Sequence, residues 1–203
     1  MMTRQMKFWV LAAILLCGTA SLTSCHSNDG REQQVAEIAD ENRQGDCMTV
    51  IEDYLTDSIA PHYAPGEMCI PCIQVVEYDE TNPDSVLVWG GFWVNNYNVV
   101  GDTLKCVSGG SHPGMMTLQP SEAGGYAVTA FEQVEDGSSF LPSAKRIFGN
   151  RFDAFQKINS DDKKREEVRA AQIADYVKSH NLPVKYYQDY GWPAKQIAVN
   201  SEQ

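Results

Sequence analysis

The chain is poor in the features that usually announce a function. Its 203 residues carry 16 Lys and Arg against 27 Asp and Glu, a formal net charge of −11. A chain of that sign repels phosphate backbones, which excludes nucleic acid as an expected partner. Six cysteines are too few for a disulfide-dense miniature scaffold, and the chain is long enough to bury an ordinary core without one. There is no internal repeat, no low-complexity tract and no apolar run long enough to span a bilayer comfortably. No glycine-rich phosphate loop leads into a helix. The stretch Cys106-Val107-Ser108-Gly109-Gly110-Ser111-His112-Pro113-Gly114 is followed by Met115 to Gln119, which reads as strand. No cofactor is expected.

What is present begins at the N-terminus. Arg4 and Lys7 precede a ten-residue apolar run, 8–17, the layout of a cleaved export signal. Leu22-Thr23-Ser24 then sets an aliphatic and two small residues before Cys25. This resembles the lipobox of bacterial lipoprotein precursors. The resemblance implies cleavage before Cys25, a diacylglycerol on its sulfur and usually an added amide-linked acyl chain. Two or more chains anchor stably where one binds marginally. The implied partner is the membrane, reached through the N-terminal lipid, and the implied address is the cell envelope. His26, rather than aspartate, follows the cysteine, which favours the outer membrane by analogy with better-known bacteria. Removing 1–24 leaves 14 basic against 27 acidic residues, a net charge of −13.

Residues 25–45 are polar and read as a tether, and 46–203 as one domain. Asp46 is placed to cap a helix whose apolar positions, Cys47, Val50, Ile51, Tyr54, Leu55 and Ile59, recur at helical spacing up to Pro61. The period then shortens to that of strands, with turn signals at Asn82-Pro83-Asp84, Gly101-Asp102, Gly109-Gly110 and Gly124-Gly125. Gly90-Gly91 inside the longest run marks a bulge or bend. A helical pattern interrupted at Gly149-Asn150 follows. The cleanest helix comes last, with Ser160 as its cap and Val168, Ala171, Ala174 or Ile173, and Val177 as its buried stripe. In the tail, Tyr186, Tyr190 and Trp192 are expected to pack on the body.

This order predicts an α+β fold, a curved antiparallel sheet of four to five strands covered on one face by the N-terminal and C-terminal helices. The architecture is similar to the cystatin-like or NTF2-like class, although NTF2-like chains place several helices ahead of most of the sheet. Together with the lipobox it resembles envelope lipoproteins of gut Bacteroidota-type bacteria, a resemblance that implies an address and no activity.

Four cysteines remain in the mature domain, and an exported chain is expected to pair them. The preferred pairing of the three available is Cys47–Cys106, from helix to sheet, with Cys69–Cys72 as a local bridge. Cys69-Ile70-Pro71-Cys72 also matches the proline-containing pair of thiol–disulfide enzymes. Those enzymes, however, place a helix after the first cysteine to lower its pKa, and Ile73 to Tyr78 reads as strand. A zinc set would have to add Cys106 and His112 to that single close pair. Trp89, Trp93 and Tyr97 share one strand face, with Gly91 between the tryptophans. They form either a platform for a sugar ring or the buried side of the sheet. His112 is a candidate ligand contact, or the base of a hydrolase-like pocket with Asp102. Mixed charges over 161–169 read as a solvated helix face.

The expected function is a lipid-anchored envelope binding or accessory module without catalysis, taking a small molecule, a glycan or an envelope protein. The alternatives are an exported thiol–disulfide protein using Cys69 and Cys72, and the His112 hydrolase.

Overall fold

The computed structural model describes residues 46–198. The expected export signal, the lipobox-like stretch with Cys25 and the expected tether lie outside the described residues. Among the described residues, no helix is long and apolar enough to cross a membrane.

Helix α1 covers 46–54, widens into a π-turn, Leu55–Ile59, and then tightens into a 3-10 turn, Ala60–His62. Pro61 lies in that last turn, and Tyr63 is extended. Strands β1 (Met68–Cys69) and β2 (Cys72–Asp79) run in one direction along β3 (Val86–Val100) and are separated by Ile70-Pro71. Strands β4 (Thr103–Ser111) and β5 (Gly114–Pro120) form a second broken strand along β3, interrupted at His112-Pro113. Even at that break the His112 amide still donates to the Phe92 carbonyl, at 2.6 Å. Strand β6 (Tyr126–Gln133) pairs with β5. Strand β7 (Tyr186–Gln188) joins β4 in parallel, and β8 (Lys195–Gln196) pairs with β7. Helices α2 (Phe140–Phe148), α3 (Phe152–Ser160) and α4 (Asp162–Ser179) come between β6 and β7.

The fold is α+β, a curved and mainly antiparallel sheet with helices packed on it. Strand alternation shows which helix takes which face. Val86, Val88, Phe92 and Val94, with Ile73, Met116 and Leu118, meet Cys47, Ile51 and Leu55 of α1. The odd-numbered positions of β3 point the other way. Trp89 packs with Ala144, Ile147, Phe148 and Phe155, and Tyr97 with Leu104, Ile173, Val177 and Tyr187. The helices therefore divide between two faces instead of sharing one, and the sheet has eight strand segments instead of four or five.

Several local expectations are corrected. Gly109 and Gly110 lie within β4 and not in a turn. A Cβ on Gly109 would strike the Val94 carbonyl, and one on Gly110 would strike the Tyr63 hydroxyl. The irregularity near Gly90-Gly91 sits on the partner strand, between Val75 and Glu77. Asp161, not Ser160, caps α4, its carboxylate accepting from the Lys164 amide at 2.9 Å. In the tail the expected packing of Tyr186, Tyr190 and Trp192 is not found: β7 directs only its middle side chain, Tyr187, into the core and leaves Tyr186 exposed, and Tyr190 and Trp192 beyond it are exposed as well.

Candidate functional site

The aromatic row is filled from within the molecule. Trp89 is buried, and its indole Nε1 donates to the Ile147 carbonyl at 3.0 Å. The Arg151 guanidinium lies 3.8 Å from its ring centroid and pairs with Glu77 at 2.5 Å. Arg165 stands 5.9 Å from the Trp93 ring, and that ring occupies the gap at Gly91, where a Cβ would collide with it. Tyr97 is fully buried; Arg169 donates to its hydroxyl from Nη2 at 2.6 Å and from Nε at 3.2 Å. Each aromatic thus carries its own arginine from the covering segment, an arrangement that stabilises modestly at each step, and the burial of Trp89 and Tyr97 leaves no continuous row of ring faces for a sugar. The platform expectation for Trp89, Trp93 and Tyr97 is corrected to a structural one.

His112 hydrogen-bonds through Nε2 to the Tyr63 hydroxyl, at 2.9 Å. Burial holds the imidazole below its ordinary value, against the opposing pull of Gln133 and Asp136. Burial and Asp136 raise Tyr63, making its hydroxyl a poor nucleophile. Asp102 sits in the turn before β4 and His112 just after it, so the nine residues of β4 separate them by about 30 Å at strand rise. The proposed base and its acid do not meet.

Among the described residues no disulfide joins any two of Cys47, Cys69, Cys72 and Cys106. Cys47 faces α1's side of the sheet and accepts from the Tyr78 hydroxyl at 3.1 Å, whereas Cys106 is the cross-strand partner of Tyr97 and packs on the α4 side. A sheet separates them, so the expected Cys47–Cys106 bridge does not form. Cys69 and Cys72 diverge for the same reason. Cys69 pairs with Asn96, near Thr56 of α1, while Cys72 pairs with Trp93 and faces Arg165, Glu166 and Arg169. Burial pushes the Cys69 thiol up despite hydrogen bonds involving Asn95 and Thr56, and pushes Cys72 up to about 12. A redox pair needs the opposite shift. The zinc set is scattered as well, since His112 lies with Tyr63 and Cys72 with α4. Thiol labelling of the folded mature protein should leave Cys47 and Cys72 unreacted and modify Cys69 and Cys106 slowly, with all four reacting after denaturation. Labelling that instead requires a reductant would overturn the unbridged arrangement.

The break between β1 and β2 forms the floor of a groove of about 470 Å³ between α1 and α4. Pro71 cannot donate to a ladder, which interrupts the edge strand here. The Gln172 side chain covers the edge two residues on, accepting from the Ile73 amide at 3.0 Å and donating to its carbonyl at 3.1 Å. Glu52, Asp53 and Thr56 line the α1 wall. Asp175, Tyr176, Ser179 and His180 line the α4 wall, with Cys69, Ile70 and Pro71 below. His180 stacks on Tyr176, with ring centroids 4.0 Å apart, and its Nδ1 lies 2.9 Å from the Tyr176 carbonyl. Burial, then the adjacent Asp53, raise the Glu52 carboxyl. Among the described residues, three carboxylates and no Lys or Arg line this volume, which lies in the size range of small-ligand sites.

Sequence reasoning found Cys69-Ile70-Pro71-Cys72 but not the groove, whose walls come from helices more than a hundred residues apart. Nor did it find the arginines. Arg165, Arg169, Ile173 and Val177 recur every four residues on one side of α4, a signal lost when only the apolar positions are counted. Comparison with protein-family models, with curated proteins and with solved structures finds nothing that matches this chain.

Proposed function

We propose that the chain is a lipid-anchored binding module of the bacterial cell envelope, without catalysis of its own, whose ligand site is the acidic groove at Ile70-Pro71. The observation that carries the reading is this groove, open between α1 and α4 and lined by Glu52, Asp53 and Asp175 without a compensating Lys or Arg among the described residues. Its charge selects a cationic ligand, such as an amine or a basic peptide side chain, and the Tyr176–His180 stack offers a flat wall for the ligand's apolar part. The lipobox supports the anchor and the address. The raised thiols on opposite faces of the sheet weigh against the redox alternative, and the distance of Asp102 from His112 weighs against the hydrolase.

Isothermal titration with a linear diamine, a lysine-containing peptide and a neutral disaccharide tests the reading. The two cations should bind, more weakly in high salt, and Asp53→Asn or Asp175→Asn should each cost about fivefold in affinity, ~1 kcal/mol. Acidification through the raised Glu52 value should weaken binding, because that carboxylate then loses its charge. Binding of the disaccharide alone, indifferent to salt and to both substitutions, would sink the assignment.

A further inference from the structure

Five of the six large apolar side chains exposed among the described residues lie at one border of the sheet: Val100, Val107, Tyr186, Tyr190 and Trp192. The register sets Val100, Thr103 and Tyr186 side by side on neighbouring strands, and the Asp102 carbonyl accepts from the Lys185 and Tyr186 amides at 2.7 and 3.1 Å. Two residues further on, Lys105 pairs with Gln188, beyond which the β7–β8 connection carries Tyr190, 96% exposed, and Trp192, 69% exposed.

This turn is held firmly. The Trp192 amide donates to the Asp189 carbonyl at 3.1 Å and the Gln188 side-chain amide to the Trp192 carbonyl at 2.8 Å. Arg169 clamps the Asp189 carboxylate through two bonds of 2.8 and 2.6 Å. A turn fastened on its inner side that still offers two aromatic rings to water marks a contact surface.

We propose that this border is a second, interfacial contact with the phospholipid surface in which the N-terminal lipid is inserted; the proposal rests on the lipid-anchor reading. Tyrosine and tryptophan, each with an apolar body and a hydrogen-bonding end, favour the headgroup layer. Lys105 and Lys185 are exposed and form no ion pair among the described residues, so their stems can lie along the same layer and their ammonium groups reach phosphates. They offset Asp102 and Glu67, the exposed carboxylates nearest in the register, and leave the border close to neutral on a mature chain of −13 that phosphates otherwise repel.

The anchor can deliver this border to the bilayer. Helix α1 begins beside Tyr78, level with Val88, and the run from Val88 to Val100 spans at most about 40 Å. The twenty residues 26–45 reach about 70 Å when extended. A contact on the same molecule as its anchor meets the membrane at high effective concentration, so two aromatics suffice where they would fail alone.

The test uses the mature lipidated protein on vesicles of phosphatidylethanolamine and phosphatidylglycerol, with the emission of Trp192 isolated as the difference between the wild type and Trp192→Phe. Brominated acyl chains should quench that emission, which should shift to the blue on the vesicles and lose most of its accessibility to acrylamide. Tyr190→Ser should reduce all three effects while near-ultraviolet circular dichroism stays unchanged. If the protein floats with the vesicles but Trp192 remains as accessible as in water, the border contact is wrong and the anchor stands. If it fails to float, the anchor reading falls and this contact with it.

Discussion

Trp89→Ala should lower the free energy of unfolding by about 4 kcal/mol, among the larger single losses this fold can suffer. The side chain fills the space between β3 and the α2–α3 pair, against Ala144, Ile147, Phe148 and Phe155. Its removal leaves a cavity, an unpartnered Ile147 carbonyl and an Arg151 guanidinium with no ring beneath it. Trp93, partly exposed, should cost about half as much on the same substitution. Guanidinium unfolding with unchanged slope and a lowered midpoint is the expected readout. Cation binding in the groove should persist in the molecules that remain folded, because the cluster that holds Trp89 contains none of the groove residues. The opposite pattern, wild-type stability with binding lost, would restore the aromatic row as a ligand platform.

How much of this was legible in the sequence depended on whether a feature is local. Helix α1 and the break at Gly149-Asn150 follow from spacing and from one residue's conformation, and both stand where expected; Gly149 adopts a φ of 52°. The shared face of Trp89, Trp93 and Tyr97 follows from the strand period and also stands. What covers that face is set by a different part of the chain. Periodicity says that an apolar side must be buried, but it does not say which helix buries it. Placing α1 and α4 on the same face made Cys47 and Cys106 look like neighbours, and their separation by the sheet follows once the two faces are told apart. The charged run 161–169 misled for a related reason. Composition describes it as solvated, yet Arg165 and Arg169 turn their guanidinium groups inward over aromatic rings and leave Lys163, Lys164 and Glu167 to the water. The groove was the least legible feature, because it exists only where a proline break in an edge strand meets the sides of two helices.

The C-terminal segment depends on one arginine, and Arg169→Met should cost about 3 kcal/mol. The Arg169 side chain is 14% exposed. It binds the Asp189 carboxylate through two bonds and the buried Tyr97 hydroxyl through two more, so it joins α4 to the sheet and to the turn after β7. Glu166 completes the fastening, accepting from the Tyr187 hydroxyl at 2.7 Å and from Lys195 at 2.6 Å. Removing the guanidinium strands Asp189 and the Tyr97 hydroxyl together. Asp189→Asn should cost only about 1 kcal/mol, since that carboxylate is about a third exposed and water can replace part of what it loses. The pair Arg169→Met with Asp189→Leu should recover part of the single loss, as apolar replacements of buried ion pairs often do. Acid adds an independent check. Hydrogen bonding to Arg169 holds the Asp189 carboxyl below its ordinary value. Burial would raise Glu166, but its bonds to Lys195 and Tyr187, together with the Arg169 charge, outweigh this and lower it. Groups depressed in the folded state contribute fully above their unfolded values near pH 4 and lose that contribution as pH falls through the folded ones. Wild-type stability should therefore drop below about pH 4, and Arg169→Met should show a shallower drop, because Asp189 no longer differs much between the two states. A variant within about 0.5 kcal/mol of wild type, with an unchanged acid limb, would mean that the arginine merely decorates the helix.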